Sequence, residues 1–198
     1  MEVVLASGNA HKIKEIKEIL SPLGIVITTL SENGYPDLDI EETGSTFSEN
    51  SKIKAEAVHD LLEKAALADD SGLCVDALDG APGVFSARYA GVDKDDDRNN
   101  EKLLAELSKK EGASRKAHYE CVLTLITDEG REVVVSGKCH GTIGYSEVGD
   151  NGFGYDPLFI PDGFDKTFAE LEPSQKNAIS HRRRALEALK HELENLKS

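Results

Sequence analysis

The first thirty residues constrain the fold most, because four different local patterns follow one another there without a break. Residues 3–6 form an apolar run that ends at Ser7-Gly8-Asn9. Ile13, Ile16, Ile19 and Leu20 then recur at helix spacing, with Lys12, Glu15 and Lys17 between them. Pro22 and Gly24 stop that helix. Residues 25–29 read as a second strand and 31–39 as a loop. Strand, glycine turn, helix and strand in this order open an α/β architecture.

The rest of the chain continues the alternation. Thr46-Phe47-Ser48-Glu49 has capping-box spacing and starts a second helix, with Ile53, Ala57, Val58, Leu61 and Leu62 as its expected buried stripe. Residues 65–68 are small and apolar and read as a buried strand ending in a turn, Asp69-Asp70-Ser71-Gly72. Residues 73–77 continue extended to the turn signal Asp79-Gly80. A third helix over 95–107 opens with acidic residues that suit the helix dipole. Residues 117–127 and 132–139 form the clearest hairpin, joined by Asp128-Glu129-Gly130-Arg131. The glycine-rich stretch 141–155 predicts no regular structure, and 157–160 a short strand. A last helix with a basic start carries Leu186, Leu189, Leu193 and Leu196 on one face. The fold class is α/β, a mixed β-sheet flanked by helices. Strand order is not readable. With no repeat and no low-complexity linker, residues 1–198 form a single domain.

Charge and cysteine content exclude several functions. The formal net charge of −14 argues against a partner bound through nucleic-acid phosphates, which calls for a broad basic face. No apolar run approaches the roughly 20 residues that span a bilayer, and residues 1–6 lack a signal-peptide pattern. The expected location is cytoplasmic, with no membrane partner. The three cysteines, Cys74, Cys121 and Cys139, show neither zinc spacing nor a disulfide framework, and read as reduced core thiols.

Four polar, glycine-punctuated segments could carry chemistry. Ser7-Gly8-Asn9-Ala10-His11-Lys12 puts backbone N–H groups, a glycine and a lysine at a helix start, as an anion site would, although an ordinary strand-to-helix turn reads the same way. It lacks P-loop spacing. Glu41-Glu42 could hold a metal or simply face the dipole of the next helix. Asp69 and Asp70 follow a buried run, and burying them unpartnered would cost several kcal/mol. They therefore require solvent, hydrogen-bond donors or a cation. Magnesium takes few carboxylates and keeps sites for phosphate, while a second carboxylate can accept a proton from water. A capped surface turn is the competing reading. Finally, Gly152-Phe153-Gly154-Tyr155-Asp156 offers aromatics for stacking on a base, and Lys176, His181 and Arg182 offer donors to phosphate or a ring carbonyl. Aromatic core packing beside a basic helix start accounts for the same residues. Together the four segments hold what a nucleotide polyphosphate needs.

These blocks, in this order, resemble the inosine triphosphate pyrophosphatase (dITP/XTP pyrophosphatase) family. The matching residues are Ser7-Gly8-Asn9 with Lys12 and Glu15; Glu41-Glu42-Thr43-Gly44 with Phe47, Glu49-Asn50 and Lys54-Ala55; and Ala68-Asp69-Asp70-Ser71-Gly72-Leu73. They continue through Gly80-Ala81-Pro82-Gly83, Ser86-Ala87-Arg88-Tyr89, Gly152-Phe153-Gly154-Tyr155-Asp156-Pro157 and Lys176-Asn177-Ala178-Ile179-Ser180-His181-Arg182. The resemblance implies an elongated mixed sheet, two lobes with an active-site cleft between them, and a homodimer. It implies Mg2+-dependent cleavage of non-standard purine nucleoside triphosphates (ITP, dITP, XTP) to the monophosphate and pyrophosphate, which keeps them out of DNA and RNA. By matching position, Asp70 is the expected acceptor of the water proton, and Glu41 and Asp70 the metal ligands. Ser7, Gly8, Asn9, Ala10, His11, Lys12, Ser71 and Lys176 are expected at the triphosphate and sugar; Phe153, Gly154, Tyr155, Asp156, His181 and Arg182 at the base. Asn50 and Lys54 are weaker candidates, and the roles of Asp69 and Glu42 stay unseparated. Ser51, where the family pattern suggests alanine, and the extra basic residues Arg183 and Arg184 are departures. Two alternatives stand beside this reading: a pyrophosphatase for modified pyrimidine nucleotides, and a nucleotide-sensing module without catalysis.

Overall fold

In the computed structural model, residues 1–91 and 94–195 are described, the His11 side chain excepted. Leu196, expected on the last helix's apolar face, lies outside them. Among the described residues six strands form one sheet in the order β2-β1-β3-β4-β5-β6. They are β1 (Glu2–Leu5), β2 (Val26–Thr29), β3 (Ala66–Val75), β4 (Lys116–Ile126), β5 (Glu132–Ile143) and β6 (Phe159–Pro161). β1 pairs in parallel with both β2 and β3, and β5 is antiparallel to β6. The sheet is therefore mixed. Among the described residues five α-helices accompany it: α1 (Ala10–Leu20), α2 (Phe47–Leu62), α3 (Asp96–Ser108), α4 (Pro173–Ile179) and α5 (His181–Asn195). Because β1 and β2 are parallel, the chain needs a crossover between them, and α1 supplies it.

The chain divides into two compact units, each assembled from separate stretches. The first comprises Met1–Asp70, Cys121–Gly137 and Arg182–Ser198. Alternation along its strands sorts its core into two layers. Val3 and Leu5 of β1 pack with Leu67, Cys121, Leu123, Ile16 of α1 and Leu186 and Leu189 of α5. Val4, Ala6, Ala66 and Ala68 pack instead with Ala55 and Val58 of α2. The second unit, Ser71–Glu120 and Lys138–His181, has its own core of Leu73, Val75, Leu103, Tyr119, Ile143, Phe159 and Phe168.

Local signals decide where the elements begin and stop. Pro22 starts a short 3-10 turn, Ser21–Leu23, which Gly24 ends in the left-handed region at φ 75°. Thr46 caps α2 with the full reciprocal box: its side chain accepts from the Glu49 N–H while Glu49 accepts from the Thr46 N–H. Asp95 caps α3 through Oδ1, 3.1 Å from the Arg98 nitrogen.

Four expectations are corrected. Asp69-Asp70-Ser71-Gly72 is not a turn: it lies inside β3, which runs unbroken from Ala66 to Val75. β5 extends through Gly141 to Ile143, into the stretch expected to be irregular, because Gly141 fits against the Ile160 carbonyl of β6 where a Cβ would clash. The buried side of α2 is Phe47, Asn50, Ser51, Ala55 and Val58, while Leu61 is exposed and Ile53 only partly covered. That face includes polar residues because the sheet meets it with hydroxyl and carboxylate partners. The short α4 had no sequence signal strong enough to separate it from α5.

Candidate active site

The strand placement of Asp69 and Asp70 separates their environments. Successive side chains on a strand point to opposite faces. Asp69 follows Leu67 onto the layer of α1 and α5, and Asp70 follows Ala68 onto the layer of α2. Both are buried, at 1% and 8% exposure.

On its face Asp69 meets two cations. Lys12 Nζ of α1 lies 2.7 Å from Asp69 Oδ2, and Arg182 Nε of α5 lies 3.9 Å from the same oxygen. Arg182 Nη1 also donates to Glu15 Oε2 at 2.7 Å. Burial pushes the Asp69 carboxyl up, but Lys12, Arg182 and Lys54 outweigh it and bring the group down to about 2. Asp69 and Glu15 thus balance the charges of Lys12 and Arg182.

On the other face Asp70 meets α2. Asn50 Nδ2 donates to Asp70 Oδ2 at 3.1 Å, and the Gly44 N–H donates to Asn50 Oδ1 at 2.8 Å. Gly44 cannot carry a side chain here, since a Cβ would stand 2.6 Å from that same Oδ1. The Thr43-Gly44 element of the sequence block therefore fixes the amide that holds Asp70. Lys54 Nζ lies 2.5 Å from Glu42 Oε1, 2.6 Å from the Asp69 carbonyl oxygen and 3.9 Å from Asp70 Oδ1. Burial raises the Asp70 pKa, Lys54 opposes this and Glu42 adds to it. Here two carboxylates face one ammonium, so the group stays net negative. Glu41, next to Glu42, is exposed. Oxygen donors with surplus negative charge fit a hard divalent cation.

Ser7, Gly8 and Asn9 precede α1 on the same unit. Asn9 Oδ1 accepts the Lys12 N–H at 3.2 Å, which caps the helix start. Ser7 is half-buried, and Gly8, Asn9 and Ala10 are exposed. Ser51, the departure from the family pattern, is fully buried with its hydroxyl 2.7 Å from Thr124 Oγ1 on β4. Its extra oxygen is thus satisfied. Arg183 pairs with Glu187 along the exposed side of α5.

The second unit holds the remaining expected residues. Asp156, 2% exposed, accepts the Phe153 N–H at 3.0 Å and pairs with the Lys176 ammonium. Burial raises the Asp156 pKa, and Lys176 and the Phe153 N–H oppose it. Lys176 Nζ sits 4.6 Å from the centre of the Phe153 ring, which is 50% exposed. Gly152, at φ 81°, leaves room for the Asp156 carboxylate, which a Cβ there would strike. Gly154 is fixed from both sides: its N–H donates to Asp96 Oδ2 at 2.7 Å and its carbonyl accepts from Asn100 at 3.1 Å. The two aromatics differ sharply. Phe153 is half exposed, whereas Tyr155 is buried and donates its hydroxyl to the Ser86 carbonyl at 2.8 Å. His181 is buried and stacks on Tyr119, with centroids 4.9 Å apart. Ser71, the residue after Asp70, is half-buried on β3. Sequence reasoning passed over Asp96 and Asn100, whose spacing on α3 gives no hint of the loop they hold.

An α/β chain with a carboxylate–lysine cluster and a lysine-backed aromatic loop belongs to the nucleotide-hydrolase class in its chemistry. The comparisons specify it. The profile of the Ham1 family matches residues 3–192, and the chain belongs to that family. It is 51% identical to the dITP/XTP pyrophosphatase of Clostridium perfringens, over 98% of this chain and 97% of that protein. Identity to the dITP/XTP pyrophosphatase of Bacillus subtilis is 48%, over 98% and 97%. Among solved structures, the Staphylococcus aureus Ham1 protein superposes with a TM-score of 0.91 at 45% identity, covering 98% of this chain and 99% of that one. A HAM1 protein from Coxiella burnetii gives 0.92 at 43%, with the same coverage.

Proposed function

We propose that this protein hydrolyses non-standard purine nucleoside triphosphates, dITP, XTP and ITP, to the monophosphate and pyrophosphate. The observation that carries the reading is Asp70: a buried carboxylate with raised basicity, one oxygen held by Asn50, in a chain that shares half its residues with a dITP/XTP pyrophosphatase. Asn50 holds the Asp70 carboxylate in place, as a group that accepts a proton from the attacking water must be held. Glu41 and Asp70 would hold Mg2+, which when bound neutralises phosphate charge and acidifies water. Lys54, retained by Glu42, and Lys12, retained by Asp69, bring two ammonium groups toward the phosphates. Ser7 to Lys12 and Ser71 complete the triphosphate and sugar contacts.

The Phe153 face is proposed to stack on the base. Lys176 behind the ring fixes it, a contact of about 0.5–1 kcal/mol at an exposed site. Gly154, Tyr155 and Asp156 shape that loop, and His181 and Arg182 donate to the purine carbonyl. An adenine amino group would leave such donors unpaired, which discriminates strongly. The active form is proposed to be a homodimer, which light scattering of the purified chain checks.

The test is a substrate panel with product analysis. With Mg2+, dITP, XTP and ITP should yield monophosphate and pyrophosphate, with ATP far slower. Release of single phosphate, preference for dUTP or dTTP, or tight ITP binding without turnover would each overturn the reading.

A further inference from the structure

Alternation along the strands of the second unit leaves one sheet face outside its core. Leu73 and Val75 of β3, Ala117 and Tyr119 of β4, and Cys139 and Ile143 of β5 point into the core. The residues that alternate with them face the other way, among them Cys74, His118, Glu120, Lys138 and His140. The Cys74 sulfur, a His118 ring nitrogen and a Glu120 carboxylate oxygen all lie within 4.8 Å of one another. His118 Nε2 and Glu120 Oε2 are 3.6 Å apart, and the His140 ring centre lies 5.4 Å from that of His118. All three donors are half-buried, so they are partly shielded without being closed off.

We propose that Cys74, His118 and Glu120 form a binding site for a thiophilic divalent cation of the zinc class, with the fourth position left to water or His140. The donor set is one sulfur, one imidazole nitrogen and one carboxylate oxygen, which suits zinc and does not suit magnesium. His118 and Glu120 stand two residues apart on β4, which puts both donors on one face, and β3 beside it supplies the sulfur. Metal bonds of about 2.0–2.3 Å require donors to close by about 1 Å, within the reach of side-chain rotation. Binding exchanges the thiol proton for the metal–sulfur bond and releases that proton to solvent. No redox change is involved. Lys138 Nζ, 3.2 Å from Glu120 Oε2, fills the site's negative charge in the metal-free chain and competes with the cation. The bound metal links β3 to β4 in the second unit and stabilises it by mass action.

The test uses the full chain and zinc alone, titrated against a chromogenic chelator. The wild-type chain should bind one equivalent, and Cys74→Ser and His118→Ala should each weaken it by at least about 10–100-fold, the loss seen even for outer-shell partners. Lys138→Gln should tighten it. Cobalt substituted for zinc should give near-ultraviolet thiolate-to-metal absorption that Cys74→Ser abolishes. Loss of this absorption in Cys74→Ser assigns the sulfur ligand to Cys74 and so distinguishes this place from the carboxylates around Asp70. Zinc should raise the thermal midpoint of the wild type and not of His118→Ala, while magnesium-supported hydrolysis without zinc stays unchanged in both variants. Equal zinc affinity in wild type and variants, or a cobalt spectrum from oxygen donors only, would overturn the proposal. His118→Ala serves as the second variant should Cys74→Ser fold poorly.

Discussion

At the scale of single residues, two neighbouring aspartates stand in different surroundings. Asp70 sits in a net-negative group with one oxygen committed to Asn50, so Asp70→Asn should fold normally and lose most turnover. General-base removal costs about 10²–10⁴ in rate, read as kcat with the thermal midpoint unchanged. Asp69 sits in a balanced ionic network under full burial. Asp69→Asn leaves Lys12 and Arg182 with too little countercharge, and breaking such a pair costs about 3–5 kcal/mol. Its expected signature is a lowered urea midpoint. A stable Asp69→Asn protein, or an active Asp70→Asn one, would reverse this assignment.

At the scale of elements, caps and faces account for the site's positioning. Asn50 and Lys54 both lie on α2, whose start depends on the Thr46–Glu49 box. Thr46→Ala should cost about 1 kcal/mol, with the m-value unchanged in urea unfolding. This box was legible because it is complete within four residues. The buried face of α2 was not. Hydrophobic spacing favoured Ile53 and Leu61, whereas packing selected Asn50 and Ser51, whose polar partners Asp70 and Thr124 stand 20 and 73 residues away. Similarly, the aspartates looked like a turn because charged pairs rarely sit inside strands. The cations that permit them there come from α1, α2 and α5.

At the scale of the whole molecule, β3, β4 and β5 each contribute residues to both compact units. Unfolding either unit therefore breaks strands of the other, and calorimetry should record one transition. Two resolved transitions would mean that the units are independent domains. Among the described residues no helix is long and apolar enough to cross a membrane. The excess of 37 acidic over 23 basic residues also implies self-repulsion that salt screens.

What the sequence determined by itself was local. The opening strand–turn–helix–strand, the caps and the ordered blocks follow from periods and side-chain-to-backbone bonds that span a few residues. They sufficed to place the chain in the α/β class and to name its family by resemblance. Strand order, the opposite faces of Asp69 and Asp70, and the meeting of Cys74 with His118 and Glu120 were decided only in three dimensions. Arg182 and Glu15, bonded across 167 residues, illustrate the reason. Charge pairing depends on distance in space, and a sequence carries no distance until its strands have chosen their neighbours.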